Sequence, residues 1–422
     1  TIGIIGLGYV GLPLFLRFIK AGYSVCGIDQ NKKYLENLRQ NKNIISGYNT
    51  SILKKIDKKK NQLYKLSHNF KNLTICDVII ICLPTPLDKK NNPDLSIISN
   101  CAKKIKSYFK ENQLLILEST IYPGVIEKIF LSNLSHNLKL GQNFFLGFSP
   151  EREDPGNKKF NLHNIPKVCS GVTMNCVELT KSLYQKIVRK VVLEKNINVA
   201  TMSKLFENVY RNVNIALVNE LKFFCHKINI DVNNVLKVAA TKPFGFKKFE
   251  PGPGVGGHCI PIDPFYYSFF AKTKGFRSEF VHLSGRINKK VPLWIFQKLS
   301  KKIKLKNLKI KKVLFVGLTY KKNVDDLRES PSLILMNLIK KKFNFKIDYF
   351  DPFIKKLNRT RNNNLILKCI NFKKTKIENY DLVILAVDHD NMNYKKIYDK
   401  SKVILDLRNK YKKDKLNKII NL

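Results

Sequence analysis

Short apolar runs at Ile2 to Ile5, Ser24 to Ile28, Val78 to Leu83, Leu114 to Leu117 and Phe144 to Phe148 are separated by long polar and helical stretches. Runs this short with connections this long predict parallel strands joined by crossovers, not hairpins. A first doubly wound domain is therefore expected over 1–198. From Val199 to Asn229 the period changes, and Met202, Leu205, Phe206, Val209, Val213, Ala216 and Leu217 share one broad face with no Gly or Pro between them. That spacing predicts one long helix, the start of a small helical domain over 199–297. The lysine-rich stretch Lys298 to Lys312 reads as a linker. Beyond it Val313 to Val316, Ile347 to Phe350, Leu382 to Val387 and Val403 to Leu405 alternate with helical segments, which predicts a second doubly wound domain over 310–422. The expected class is α/β, with two such domains joined by the long central helix and the small helical domain.

Gly6-Leu7-Gly8-Tyr9-Val10-Gly11 follows the first strand at once and opens a helix, Leu12 to Ala21. In that setting the glycines form a dinucleotide-binding, Rossmann-like turn, whose helix N-terminus faces a pyrophosphate. The second strand ends in Asp29, placed to accept hydrogen bonds from a ribose and to repel a 2′-phosphate, so NAD is expected over NADP. Ligands of such sheets collect at the carboxyl ends of the strands, where Pro84-Thr85-Pro86, Glu118-Ser119-Thr120 and Ser149-Pro150-Glu151 lie. The last domain has only Gly317, followed by Leu318-Thr319-Tyr320-Lys321, at its first turn, which points to a different ligand there.

Composition alters this picture little. A 44% hydrophobic fraction supports sizeable cores despite a net charge of +45. The lysines come in short runs, such as Lys58 to Lys60 and Lys340 to Lys342, spread along the whole chain without a basic stripe. Neither nucleic acid nor a membrane is therefore the expected partner, although some of the charge can steer an anionic substrate. Nine cysteines without a C-x-x-C pair fit reduced thiols in a cytoplasm, and no His or Cys spacing suggests a metal.

One cysteine stands apart. Gly252-Pro253-Gly254-Val255-Gly256-Gly257-His258-Cys259 is a glycine-dense loop ending in a thiol, with Asp263 four residues on. A nucleophile beside a charge partner is one reading of this arrangement, and a small buried hydrophobe is the other. Lys204 and Asn208, four apart on the long helix, point the same way. Together with Glu118-Ser119-Thr120, Lys321 and Asp326-Leu327-Arg328-Glu329-Ser330, these motifs resemble the UDP-glucose and GDP-mannose dehydrogenase family over nearly the whole chain. Ser149 to Gly156 and Gly256 to Pro264 look most like the branch acting on UDP-N-acetylglucosamine. The glucose branch tends to carry a second acid where Pro155 stands.

The resemblance implies a four-electron oxidation of a sugar C6 alcohol to a carboxylate with two NAD, through a thiohemiacetal and a thioester on Cys259, toward surface polysaccharide precursors. It implies catalytic roles for Cys259, Lys204, Asn208, Asp263, Thr120 and Glu151, the last as general base for thioester hydrolysis. Cofactor contacts would come from Gly6, Gly8, Tyr9, Val10, Gly11, Asp29, Thr85, Thr120 and Arg328. The UDP-sugar would meet Glu151, Arg152, Lys204, Asn208, Val255, Gly256, Lys321 and Arg408. His258 is expected to be structural, and Glu153 and Asp154 to be solvated or salt-bridged loop residues. A homodimer built on the long helix is expected. Other nucleotide sugars (UDP-N-acetylgalactosamine, UDP-glucose, GDP-mannose) and a two-electron hydroxyacid-type dehydrogenase remain alternatives, the latter leaving Cys259 unexplained.

Overall fold

The computed structural model describes residues 1–422 apart from 43, 44, 46, 47, 49, 59–62, 135–137, 155, 158, 360–362, 364, 412, 413, 415 and 421, so Lys59, Lys60 and Pro155 lie outside the described residues. The chain divides into two compact units, Thr1–Glu207 with Phe265–Arg277, and Asn208–Pro264 with Ser278–Leu422. The segment 199–297 contributes to both.

In the first unit β1 (Ile2–Ile5), β2 (Val25–Ile28), β3 (Tyr64–Ser67), β4 (Val78–Ile81), β5 (Gln113–Leu117), β6 (Phe144–Phe148), β7 (Lys167–Gly171) and β8 (Val191–Leu193) form one sheet, ordered β3-β2-β1-β4-β5-β6-β7-β8. The strand order reverses between β1 and β4, which register in parallel from Ile2 against Val78 to Ile5 against Ile81. Side chains alternate faces along each strand, so both faces are buried. Ile4, Ile80 and Ile116 pack on one side with Leu12, Phe15 and Phe18 of helix α1 (Gly11–Lys20). Ile5, Ile79, Ile81 and Leu117 pack on the other with Ile98, Ala102 and Ile105. Each such side chain contributes about 1.5–3 kcal/mol by leaving water. The sequence pattern does not show that β7 runs antiparallel to β6.

The second unit has a five-stranded parallel sheet, in the order Lys346–Phe350, Lys312–Val316, Leu382–Leu385, Ile404–Asp406, Ile419–Ile420. Helix Pro331–Lys342 covers one face and helix Tyr394–Lys400 the other. The chain is thus α/β with two doubly wound sheets.

Two expectations need correction. Lys298 to Lys312 is not a linker through most of its length, because helix Glu279–Leu305 runs on to Leu305. Leu299 and Ile303 of that helix are buried in the second core while lysines face outward. The long central helix spans Ile197–Lys227, but its apolar face is not one surface. Leu205, Val209 and Ala216 are buried, whereas Phe206 is 58% and Leu217 61% exposed. Among the described residues no helix is long and apolar enough to cross a membrane.

Candidate active site

In the first unit the glycine turn is built for a close approach. An added Cβ on Gly11 would fall 1.8 Å from the Gly6 carbonyl oxygen, so helix α1 packs on β1 only with glycine there. Gly8 is exposed with open space over it, just ahead of the helix start, and this fits a pyrophosphate. Asp29 closes the turn: its Oδ2 accepts from Leu7 N at 3.0 Å and its Oδ1 from Asn31 N at 2.9 Å. Thr85 is buried, whereas Tyr9, Val10 and Thr120 are half-buried.

Glu151 is held from several directions. Its Oε1 accepts from Arg152 N at 2.6 Å and Glu153 N at 2.5 Å, and its Oε2 lies 3.3 Å from Lys167 Nζ. Burial pushes this carboxyl up, but Lys167, the two N–H groups and Lys204 outweigh burial and leave it below its ordinary value. Arg152 is already engaged, 2.7 Å from Glu207 and donating to the Pro166 carbonyl at 2.9 Å. Lys204 is buried. Glu153 is not a solvated loop residue: it accepts from Tyr48 Oη at 3.0 Å and Leu162 N at 2.6 Å. Burial, reinforced by the charge of Glu151, pushes it up to about 7.

In the second unit Cys259 is exposed, unlike every other cysteine among the described residues. Its carbonyl accepts from Ile262 N at 3.1 Å and Asp263 N at 2.8 Å, a tight turn that sets the thiol directly ahead of helix Asp263–Thr273. Asp263 is fully buried, and its Oδ2 takes a 2.6 Å hydrogen bond from Asn208 Nδ2. The glycine loop lies against Tyr320, whose ring would stand 2.7 Å from a Cβ on Gly257, and Gly257 N donates to the Arg328 carbonyl at 2.9 Å. Val255 and His258 are half-buried and Gly256 is buried. The Arg328 side chain is 46% exposed, and its guanidinium grips Asp326 at 2.7 Å. Lys321 is half-buried. Arg408 donates to Asp388 at 2.8 Å, and its guanidinium lies beside Gly252.

The second glycine turn differs from the first for a visible reason. Asp351, at the end of its strand as Asp29 is of β2, accepts from Leu318 N at 2.7 Å but is fully buried, with His389 Nε2 at 3.2 Å. Its carboxylate is spent inside the fold and cannot meet a ribose.

Lys167, Tyr184, Lys222 and Asn288 escape a reading of the sequence. Each is a polar residue on an otherwise ordinary strand or helix, and only its burial marks it. Glu118 is legible as part of a strand-end motif, though its burial is not.

Residues 1–188 match the NAD binding domain of the UDP-glucose/GDP-mannose dehydrogenase family, 198–290 its central domain and 314–413 its UDP binding domain. The chain is 34% identical to a UDP-N-acetyl-D-glucosamine 6-dehydrogenase of Pseudomonas aeruginosa, over 84% of this chain and 83% of that protein. It is 32% identical to a UDP-N-acetyl-D-mannosamine dehydrogenase of Methanocaldococcus jannaschii, over 96% and 91%. The solved structure of a UDP-D-ManNAc dehydrogenase from Pyrococcus horikoshii superposes with a TM-score of 0.84 at 29% identity, covering 97% of this chain and 95% of that one.

Proposed function

Since the chain belongs to the UDP-glucose/GDP-mannose dehydrogenase family and is a nucleotide-sugar dehydrogenase with NAD as cofactor, we propose that it oxidises the C6 alcohol of UDP-N-acetylglucosamine to the uronic acid. The observation that carries this reading is Cys259, an exposed cysteine at the end of a glycine loop, whose carbonyl is bound by the backbone N–H of Asp263, the buried partner of Asn208. When bound, NAD supplies the hydride acceptor for both oxidations, two molecules being reduced per sugar.

The chain's own residues do the rest. Lys204 and Asn208, one helical turn apart, stabilise negative charge developing on the C6 oxygen. Cys259 attacks the aldehyde as its thiolate and carries the carbon as a thiohemiacetal and then a thioester, which water cleaves. Asp263 and Thr120 hold that water, and Glu151, kept ionised by its donors, takes its proton. Gly6, Gly8, Tyr9, Val10, Gly11, Asp29, Thr85 and Arg328 hold the cofactor. Arg152, Val255, Gly256, Lys321 and Arg408 hold the UDP-sugar. UDP-N-acetylmannosamine is the second reading, favoured by the names of the archaeal relatives.

The test is turnover on a panel of nucleotide sugars with NAD, together with the intact mass of Cys259→Ser after incubation with substrate. Two NADH per UDP-N-acetylglucosamine are expected, with turnover of the variant lower by orders of magnitude and an enzyme-linked sugar ester retained. Preference for UDP-N-acetylmannosamine would transfer the assignment to that sugar. One NADH per sugar, or a variant with near wild-type turnover, would remove the covalent route.

A further inference from the structure

The first unit contains a buried ionic cluster that the proposed reaction does not use. Glu118, directly after β5, is fully buried, and its Oε2 lies 2.6 Å from Lys167 Nζ. Tyr184, the last residue of helix Met174–Tyr184, donates its hydroxyl to the other oxygen, Oε1. Lys167 also reaches Glu151 Oε2 at 3.3 Å and the Pro150 carbonyl at 3.4 Å, and its ammonium sits 5.2 Å from the centre of the Tyr184 ring.

The topology explains why a lysine stands there. Because β7 is antiparallel to β6, its first residue, not its last, comes to the carboxyl edge of the sheet. Phe148 registers with Ser170, and continuing that pairing brings Lys167 opposite Glu151. Burying a cation and two carboxyl groups is costly and an apolar set would pack as well, so the cluster points to a role beyond packing.

We propose that Lys167 is a positioning residue for the oxidation, aiming the Glu151 carboxylate from a seat fixed by Glu118 and Tyr184. The inference rests on the role of Glu151 given above. Lys167 occupies one carboxylate oxygen and the backbone N–H groups of Arg152 and Glu153 the other, so the rotamer is set and one direction stays open for a proton. Above about pH 7 the charge of Glu118 works against that of Lys167. Both act on Glu151, which also faces Lys204, Glu153, Tyr48 and Cys82. Burial, opposed by Lys167, pushes Glu118 itself up to about 7.

Removing the cation must therefore move Glu151 up, whereas Glu118, already protonated where Glu151 titrates, must leave it in place when it becomes glutamine, a difference that a merely structural cluster would not produce. The experiment is the pH profile of kcat at saturating UDP-N-acetylglucosamine and NAD for wild type, Glu151→Gln, Lys167→Met and Glu118→Gln, with thermal midpoint and NAD affinity as checks on folding. The acid limb should vanish from the residual turnover of Glu151→Gln. It should move up by about one to two pH units in Lys167→Met and stay in place in Glu118→Gln. If Lys167→Met does not fold, the double variant Glu118→Gln/Lys167→Met replaces it, and its limb should still move up because Glu151 has lost its nearest cation. A limb that persists in Glu151→Gln would overturn the role of Glu151 and this inference with it. A limb that vanishes there, yet stays put in Lys167→Met or moves up equally in Glu118→Gln, would overturn the positioning by Lys167 alone.

Discussion

Lys222 shows how much a single residue's surroundings decide. On the long helix it reads as one more solvated lysine, yet it is 6% exposed, with its ammonium 5.5 Å from the Trp294 ring centre and near Arg408 and Asp406. Burial first, and then the charge of Arg408, lower it from 10.5 to about 8 against the pull of Asp406. A lysine held below its unfolded value destabilises the fold in full below about pH 8, and the penalty fades as the pH rises toward 10.5. Lys222→Met should therefore be more stable than wild type at pH 7, on the order of 3 kcal/mol, with the gap closing toward pH 10. Chemical unfolding midpoints at the two pH values check this, and a variant less stable at pH 7 would show that the ammonium is net favourable. Asp29 and Asp351 teach the same lesson. Both end the second strand of a doubly wound sheet and both accept a backbone N–H from the glycine turn, but His389 buries only the latter.

At the scale of elements, three amides fasten the two long helices to the cysteine loop. Asn219 Nδ2 donates to Asn288 Oδ1 at 3.0 Å, and Asn288 Nδ2 donates to the Asn212 carbonyl at 3.1 Å and to its side chain. Asn212 Nδ2 reaches the Ile260 carbonyl at 3.4 Å, and Asn219 Oδ1 accepts from Gly252 N at 3.4 Å, so the ladder holds both ends of the loop. All three amides are buried. Asn288→Ala strands partners on either side, and each buried polar group left unmade costs about 1–3 kcal/mol. Its thermal midpoint should fall by several degrees, while Asn214→Ala, which loses only a bond to Tyr210 on its own helix, should melt near wild type. Equal melting of the two would show that the ladder adds nothing to stability. Helix Glu279–Leu305 makes a related point about periodicity: its lysines mask the buried positions Val291, Ile295, Leu299 and Ile303, which alone reveal a helix there.

For the whole molecule, the exposed residues of the central helix raise the matter of assembly. Val199, Phe206, Tyr210, Leu217, Phe224 and Ile228 are all exposed and succeed one another at spacings of seven or four, so they form a single stripe along Ile197–Lys227 and just past it. An apolar stripe of that length is unusual on a lone chain and matches the seam of a helix pair. The homodimer expected from the sequence would use this seam. A dimer is expected at micromolar concentration by size exclusion with light scattering, and Phe206→Asp/Leu217→Asp should convert it to a monomer. A wild-type monomer would discard the proposal.

What the chain's sequence determined by itself is local. The turn from Gly6 to Gly11 is legible because its chemistry lies within six consecutive residues, the strands because both sheet faces are apolar, and the cysteine loop because glycines cluster around one thiol. The pairing of Asp263 with Asn208 was within reach, since each already stood out on its own segment. The tertiary structure alone decided which half of the long helix is buried, that β7 runs backwards and lifts Lys167 to Glu151, and that Glu118, Lys167 and Lys222 carry ionisable groups in places without water. The physical reason is that hydrophobic period and turn chemistry act between neighbours in sequence. Desolvation and charge pairing act between neighbours in space, and those are set only when the sheets close.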